Sequence, residues 1–475
     1  QTLQALHRSH IIRWNRWQGY LDILGQLDEA AHAVEVKKTK PVQELSRLLD
    51  DVRERVLAAR YDTSKWYGLF QEVRGPVWQQ ITGLLSDLVA AVEGTPSAGS
   101  LQRILLVSRQ MDQQIKGIER TVQELVPWVP LLEVPPRLFA EEGYAADMAH
   151  LREALPYSPA ISEIRAFTGR AAEIADALEA GVHASGGEGD AATEALYWLK
   201  TLREVMRQAR DQEAILTASF LNLSNQAEKL VSEMDFRFLY DRSRHVFHIG
   251  YNLDAARLDD NYYDLLASEA RITSLIAIAK GDVPVEHWLH LNRPVTSLSG
   301  MRVLLSWSAT LFEYLMPALY LRTYPNTLLE ESARGAVMRQ IEYGRQKGVP
   351  WGISESGFYQ FDANQNYQYR AFGVPGLGFK RGLADDLVIA PYASLMAVGF
   401  APQQVLQNTA RLAELGGLGQ YGFYEALDFT EKRVPVGEKC GIVRSYMAHH
   451  QGMILLAVNN YLNHNLVLER MHADP

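Results

Sequence analysis

The stretch from residue 348 to residue 382 is the most chemically suggestive part of the sequence. Glu355 lies in it among glycine, aromatic and basic residues, and so long a stretch without an evident helix or strand pattern is uncommon unless it is functional. Aromatic faces can stack on the C–H faces of sugar rings, while polar side chains bind the hydroxyls at the ring edges. We therefore predict a carbohydrate site, with a surface loop packed by its own aromatic residues as the alternative. The candidate substrate-binding residues of the stretch are Trp351, Tyr359, Tyr367, Tyr369, Arg370, Phe372 and Lys380.

Four more carboxylates stand in unusual settings: Glu269, Glu313, Glu425 and Asp428. Glu313 interrupts an apolar run at 311–316, where an unpaired carboxylate would be costly, so we expect it to face a partner or a polar cavity. For each of the four alone, a structural hydrogen-bonding role is as plausible as catalysis. Together with the aromatic stretch, they favour a site.

Cleavage of a glycosidic bond needs two carboxyl groups, one on each side of the bond. One holds a proton for the leaving oxygen, and the other attacks the anomeric carbon or activates water. The two groups are about 5 Å apart in retaining enzymes and farther apart in inverting ones. The chain supplies several such pairs, and sequence spacing leaves open which pair acts and with which stereochemical outcome.

The adjacent residues His449, His450 and Gln451 suggest a metal site at first sight. Neighbouring side chains on a helix point about 100° apart, however, and cannot easily bind one ion together. The sequence has no second His/Cys cluster with the spacing of a metal site. We therefore expect no metal and no other cofactor, and favour contact of these side chains with sugar.

Composition excludes several classes of protein. A hydrophobic fraction of 47% is typical of a globular chain, and a net charge of −9 argues against a nucleic-acid partner. Cys440 is the single cysteine, so no disulfide can form within the chain. The apolar run at 303–321 contains Glu313, which a membrane span would tolerate poorly, so a buried core helix is the better interpretation.

Helical periodicity dominates the first half of the chain, at 24–31, 45–52, 102–126 and 191–234. The pattern changes at Asp235, where apolar-aromatic runs at 236–240 and 245–249 predict a β-hairpin. Further helices are expected at 260–280, 300–321, 328–346, 391–400, 402–415 and 443–461. A mainly α protein results, with a helical region at 1–233 and a region at 234–475 in which helices joined by long loops suggest a helical toroid with a site at one rim.

Several long motifs in the second half resemble the glycoamylase-like, transglycosylating domain of bacterial cyclic β-1,2-glucan synthases. The matching stretches are 263–271 (YDLLASEAR), 276–284 (IAIAKGDVP), 312–317 (FEYLMP), 348–356 (GVPWGISES), 369–376 (YRAFGVPG), 424–426 (YEA) and 445–453 (SYMAHHQGM). The match extends with few breaks from about residue 234 to the end. The helical first half resembles the preceding segment of these synthases less distinctively.

The resemblance implies an (α/α)6 toroid with a short β-hairpin and long loops at one rim, helped by helices of the first half. It implies retaining transglycosylation that cyclises linear β-1,2-glucan, with Glu355 as the nucleophile and Glu269 as the acid/base. The implied substrate-binding residues, beyond those already given, are Glu313, Trp307, Tyr424, Glu425, Asp428, His449, His450 and Gln451.

The resemblance also implies partners and a location. The partners are a β-1,2-linked glucan and the glycosyltransferase and phosphorylase-like domains of a longer parent chain. The location is the cytoplasmic side of the bacterial inner membrane, with this segment itself soluble and without a direct membrane span. Two alternatives remain open: an endo-β-1,2-glucanase, which would be a hydrolase, and a non-catalytic glucan-binding scaffold.

Overall fold

The computed structural model describes residues 2–9, 11, 14–32, 40–92, 98–185, 189–298, 300–419 and 421–473. They divide into two compact units, Gln1–Glu228 and Lys229–Pro475. Helices predominate in both units, which confirms the predicted mainly α class. In these ranges, no helix combines the length and the apolar character that crossing a membrane requires.

The first unit is built from amphipathic helices. In α3, Leu45, Leu49 and Val52 follow the helical repeat and are at most 1% exposed, so one face of the helix supplies the core. Leu24 and Leu27 do the same in α2, as the periodicity predicted. The helices are α1 (Thr2–His7), α2 (Trp14–His32), α3 (Lys40–Ala58), α4 (Trp66–Glu72), α5 (Trp78–Val92), α6 (Ala98–Leu125), α7 (Val129–Glu133), α8 (Glu142–Ala154), α9 (Ile164–Ala184) and α10 (Asp190–Glu233).

The second unit combines shorter helices with small antiparallel sheets. Its helices are α11 (Ser268–Ala279), α12 (Glu286–His290), α13 (Leu311–Leu315), α14 (Leu328–Lys347), α15 (Pro391–Met396), α16 (Pro402–Glu414), α17 (Ala448–Leu462) and α18 (Leu466–Met471). Its strands are β1 (Tyr240–Asp241), β2 (Val246–Phe247), β3 (Tyr251–Asn252), β4 (Arg257–Leu258), β5 (Val295–Leu298), β6 (Met301–Leu304), β7 (Ser356–Phe361), β8 (Tyr367–Arg370), β9 (Val388–Ile389), β10 (Leu418–Gly419), β11 (Gly422–Phe423), β12 (Ala426–Asp428) and β13 (Gly441–Val443).

Five strand pairs are two-stranded and antiparallel: β1–β2, β3–β4, β5–β6, β7–β8 and β10–β11. A three-stranded sheet has the order β13–β12–β9. The hairpin predicted after Asp235 is confirmed as β1–β2, in which Tyr240 pairs with Phe247. It is shorter than predicted because residues Arg237–Leu239 form a 3-10 turn.

The predicted helices at 328–346 and 402–415 are confirmed by α14 and α16. The helix predicted at 391–400 is an α-helix to Met396 and a 3-10 turn after it. The helix predicted at 443–461 begins only at Ala448, because Gly441–Val443 pairs with β12 as a strand.

Two helix predictions were wrong in their first part. At 260–280, the Asp264 carboxylate accepts a hydrogen bond from the Leu266 backbone at 2.8 Å, which holds a turn, and the helix starts at Ser268. At 300–321, Met301–Leu304 pairs with Val295–Leu298 in a hairpin. Helix α13 begins only after the N-cap residue Thr310, so the run at 303–321, which is largely buried apart from the exposed Trp307, is not one core helix.

The stretch at 348–382 contains the hairpin β7–β8, which the sequence analysis did not predict. A bulge between Phe358 and Phe361 disturbs the register, and this weakens the alternating pattern from which a strand is recognised. Gly352 has φ 127°, and a Cβ atom there would lie 3.0 Å from the Ala390 carbonyl oxygen. Glycine is therefore required just before Glu355, where two segments approach closely.

Candidate active site

A cavity of about 850 Å³ in the second unit brings together residues that the sequence analysis selected. Glu355, Glu269, Glu313 and Trp307 all line it. Asp260 and Asp264 line it as well, so five carboxyl groups face one space. An acidic cavity of this size suits a neutral polar ligand such as a sugar and repels anions.

The backbone that carries Glu355 is fixed by side-chain amides of two helices. Gln340 of α14 brackets Ile353, donating to its carbonyl oxygen and accepting from its N–H, both at 2.8 Å. Asn408 of α16 brackets Trp351 in the same way, at 2.8 and 3.0 Å. An extended segment without a strand partner thus has its backbone groups satisfied, and Glu355 is held on a rigid support.

The Tyr392 hydroxyl adds a further contact beside the carboxyl group. It lies 2.9 Å from both the Ser354 hydroxyl oxygen and the Glu355 carbonyl oxygen. The Ser354 hydroxyl in turn accepts a hydrogen bond from the Phe312 N–H at 3.1 Å. Helices α13 and α15 are therefore both tied to the residue that precedes Glu355.

Burial raises the pKa of the Glu355 carboxyl group, and the negative charges of Glu269 and Glu313 raise it further. The positive charge of His450 opposes the shift and lowers this pKa. In the part of the chain that the structure describes, no group donates a hydrogen bond to the Glu355 carboxylate. A half-buried, electrostatically perturbed carboxyl group without a structural partner is typical of a catalytic residue.

Glu269 lies in the first turn of α11 and is exposed to the cavity. Burial is the largest cause of the raised pKa values of Glu355, Tyr263 and Tyr369. The negative charge of Glu269 raises all three further. Glu269 is therefore electrostatically coupled to Glu355 across the cavity. A helix N-terminus also stabilises a carboxylate in its first turn.

Glu313 lines the same cavity but is engaged in structure. It completes a capping box with Thr310 at the start of α13. Its two oxygens accept hydrogen bonds from the Thr310 N–H and hydroxyl at 2.9 Å and from Ser306 and Ser308 at 3.1 Å. With four donors directed at it, Glu313 is less free than Glu355 or Glu269 to exchange a proton with a substrate.

Glu425 and His450 form a buried ion pair next to the cavity. The Glu425 Oε2 atom lies 2.9 Å from His450 Nδ1, and its Oε1 atom accepts from the Gly357 N–H at 3.1 Å. The His450 ring stacks on Tyr392 with a centroid distance of 3.7 Å. The Tyr369 hydroxyl lies 3.5 Å from His450 Nε2. This contact connects strand β7 to helix α17 and, when His450 is protonated, places a positive charge close enough to act on Glu355.

Three predicted substrate-binding residues lie in the interior. Asp428 is fully buried, and its oxygens accept from Arg433 at 2.6 and 3.2 Å and from the Tyr359 N–H at 3.1 Å. Trp351 and Phe372 are 6% and 4% exposed and pack in the core. The structure places these side chains in the support of the site and not among the residues that line the cavity.

The other predicted residues lie around the hairpin β7–β8 and the end of β11. Tyr359 and Tyr367 pack with Phe361 at centroid distances of 5.6 and 4.7 Å. The Arg370 guanidinium is paired with Asp386, and the Lys380 ammonium donates to the Ala371 carbonyl oxygen at 2.8 Å. Tyr424 packs on Tyr446, Gln451 donates to the Phe423 carbonyl oxygen, and His449 is exposed beside His450.

Two parts of the cavity wall were missed, the part that precedes α11 and the part at the start of α13. The residues missed are Arg244, Ile249, Asp260, Asn261, Tyr262, Tyr263, Asp264, Ala267, Ser308, Thr310 and Phe312. The run at 259–264 (DDNYYD) combines acidic and aromatic residues at high density, and this signal could have identified it. It was overlooked because a helix was predicted to start at 260.

Where the chain is described, no three His, Cys, Asp or Glu side chains are arranged to hold one metal ion. His450 Nδ1 is committed to Glu425, and the two adjacent imidazoles have centroids 4.0 Å apart with planes inclined by 54°.

Comparisons with known proteins agree with the motifs. Residues 261–475 match the model of a family described as putative glucoamylase. The chain is 48% identical over 260 residues to the cyclic beta-(1,2)-glucan synthase NdvB of Rhizobium meliloti (strain 1021). The matched segment makes up 55% of this chain and 9% of that relative. The resemblance to a glycoamylase-like domain of cyclic glucan synthases is therefore confirmed for this part of the chain.

Proposed function

We propose that this glycoamylase-like domain is a retaining transglycosylase that closes linear β-1,2-glucan into rings. The observation that carries the proposal is the pair Glu355 and Glu269, two electrostatically coupled carboxyl groups in one acidic cavity. The name of the relative, a cyclic beta-(1,2)-glucan synthase, supports the choice of glucan and product. Glycosyl transfer of this kind needs no group beyond two carboxyls and a positioned acceptor.

In the first step, Glu355 attacks the anomeric carbon while Glu269 protonates the leaving glycosidic oxygen. The bond between the two sugars breaks and a glycosyl ester forms on Glu355. In the second step, the 2-hydroxyl at the non-reducing end of the same chain attacks the anomeric carbon held in the ester, forms the new glycosidic bond and gives its proton to Glu269. The ester bond breaks, Glu355 is released as a carboxylate, and both carboxyl groups return to their starting protonation states.

One observation favours the reverse assignment of roles. The pKa of Glu355 is raised, chiefly by burial, so a proton is retained there more readily than on an ordinary glutamate. The positive charge of His450 acts against this and favours the carboxylate that a nucleophile requires. We assign the nucleophile to Glu355 because its support is rigid, and the acid/base role to Glu269 because its exposed carboxyl group can exchange protons with solvent between the steps.

Incubation with linear β-1,2-glucan tests the activity directly. Rings differ from linear chains of equal length by the loss of one water, so mass spectrometry should detect them, and the anomeric form of early products should be retained. Glu355→Gln and Glu269→Gln serve as inactive controls. Products that are only shorter reducing chains would indicate the endo-β-1,2-glucanase, with an inverted anomer if its pair is inverting. No conversion of any β-1,2-glucan would favour the glucan-binding scaffold.

We also propose the (α/α)6 toroid for the catalytic region at 234–475, with 1–233 as an N-terminal helical region. As the family resemblance implies, the domain would receive its glucan from a glycosyltransferase domain of a longer chain that also carries a phosphorylase-like domain, at the cytoplasmic side of the inner membrane. Cross-linking of the full parent chain, with mass spectrometry of the linked peptides, tests this. If cross-links formed only within each domain and none joined two domains, direct transfer of the glucan between them would be rejected.

A further inference from the structure

A second cavity, of about 380 Å³, lies on the opposite side of α11 from Glu269. Residues two apart on a helix point about 200° apart, so Glu269 faces the first cavity while Arg271 lines the second. The wall of the second cavity is largely apolar and includes Leu265, Leu275 and Trp288.

Arg271 is a buried cation whose guanidinium forms no hydrogen bond and no ion pair with the described residues, although the charge of Asp264 acts on it. Its side chain is 5% exposed, and its Nε–H is enclosed without an acceptor. Among the residues that the structure describes, none accepts a hydrogen bond from its guanidinium and none forms an ion pair with it. Burial lowers its pKa to about 10, with the charge of Asp264 opposing the shift, so it stays positive at neutral pH. An unpaired buried charge is costly unless an anion compensates it.

The other charged groups around the cavity do not compensate Arg271. Arg293 donates to the carbonyl oxygens of Leu289 and Leu291, at 3.0 and 2.6 Å, and has no carboxylate partner among the described residues. Arg322 is neutralised by Glu469 at 2.7 Å. The backbone N–H of Arg322 donates a hydrogen bond to the His472 Nε2 atom at 3.0 Å, so Nε2 carries no proton in this contact.

The two cavities therefore have opposite electrostatic character. Five carboxyl groups line the first, whereas no Asp or Glu of the described chain lines the second and two guanidinium groups without a paired carboxylate do. An anion is repelled by the first and attracted by the second. The volume of the second lies within the range of small-molecule sites, about 300–1,000 Å³.

We propose that this second cavity binds a small organic anion, with a carboxylate or phosphate head against Arg271 and an apolar body against the leucines and Trp288. The planar guanidinium is suited to both kinds of head group. Because α11 carries Glu269 on its other face, occupancy of the cavity acts on the helix that presents an active-site carboxyl group. A ligand that shifts α11 would also move Glu269, and this would couple the second cavity to the active-site cavity.

Isothermal titration calorimetry of the full chain with octanoate and with phenyl phosphate tests the proposal, and octan-1-ol serves as the neutral probe. We expect saturable binding of one anion per chain and at least tenfold weaker binding of the alcohol. Preference between the two anions distinguishes a carboxylate from a phosphate ligand. Absence of saturable binding of both anions, or equal binding of the alcohol, would overturn the proposal.

The variant Arg271→Met removes the charge and keeps an unbranched chain, and such replacement of an uncompensated buried charge does not in general cost stability. We expect it to weaken anion binding at least tenfold. Arg293→Gln removes the second guanidinium group of the cavity, which is partly exposed, and should weaken anion binding several-fold. Arg120→Met, at an exposed position in α6, alters net charge equally and should leave binding unchanged. Unchanged affinity in both cavity variants would contradict the proposal.

Discussion

The Nδ1 atom of His450 lies 2.9 Å from the Oε2 atom of Glu425, and both side chains are 1% exposed. A buried ion pair of this kind contributes little net stability but fixes position and charge. Here it fixes a positive charge that lowers the pKa of Glu355, against the effects of burial, Glu269 and Glu313. The protonation state of the candidate nucleophile is thus set partly by a residue that does not line the cavity.

Replacement of His450 by Gln should therefore change the pH dependence of activity. Loss of the positive charge raises the pKa of Glu355, so more of it is protonated at a given pH. If Glu355 is the nucleophile, the acid limb of kcat/KM moves to higher pH; if it is the acid, the alkaline limb moves to higher pH instead. Rates measured between pH 4 and pH 9 distinguish these outcomes. His183→Gln, in the first unit, should leave both limbs in place, and an unshifted His450→Gln profile would refute the electrostatic role.

Because Glu355 and Glu269 are assigned different roles, variants of the two residues should lose activity in different ways. We expect Glu355→Gln and Glu269→Gln each to lower kcat with β-1,2-glucan by at least about 10³-fold, since each removes a group that acts in both steps. With a substrate that has a good leaving group, azide should restore turnover of Glu269→Ala with retained configuration. Azide should give the inverted product with Glu355→Ala. If azide instead gave the retained product with Glu355→Ala and the inverted product with Glu269→Ala, Glu269 would be the nucleophile and Glu355 the acid/base.

Glu355→Gln should also stabilise the fold at neutral pH. The folded-state pKa of Glu355 is raised above its unfolded value, so the group favours folding below the unfolded pKa and loses that contribution as pH rises through the folded pKa. A neutral glutamine avoids the cost of the buried carboxylate. Thermal unfolding at pH 7.5 should give an equal or higher Tm for the variant, with the difference disappearing near pH 4. Glu414→Gln, at an exposed position, is the control, and a lower Tm of Glu355→Gln at pH 7.5 would contradict the argument.

Much of this site could be predicted from residue types, but not how its parts are used. Glu355 was singled out by its aromatic, glycine-rich surroundings, and its pairing with Glu269 followed only from the family resemblance. Glu313 was singled out because it interrupts an apolar run, yet its capping box depends on a helix starting at Leu311, whereas the run suggested one long helix. The burial of Asp428 depends on Arg433 and Asp386, partners that periodicity cannot connect.

Asp428→Asn should act on stability and not on sugar contact. The change leaves Arg433, 7% exposed, with one carboxylate, Asp386, and weakens the acceptor of the Tyr359 N–H. Breaking one side of a buried pair costs about 3–5 kcal/mol. Urea denaturation should detect this loss, and KM of the remaining folded enzyme should change less than twofold. A large rise in KM with unchanged stability would instead make Asp428 a substrate contact.

Trp307→Ala should instead raise KM and leave the stability of the fold unchanged. Trp307 is 68% exposed and lines the cavity beside Glu313 and Ser308, so its ring has little packing to lose and a free face for a sugar. An aromatic contact contributes about 0.5–1.5 kcal/mol, which corresponds to a roughly twofold to twelvefold rise in KM. Thermal unfolding should show no change in Tm, and Trp307→Phe should recover most of the affinity because a flat face is retained. Equal KM for wild type and Trp307→Ala would remove Trp307 from the substrate-binding surface.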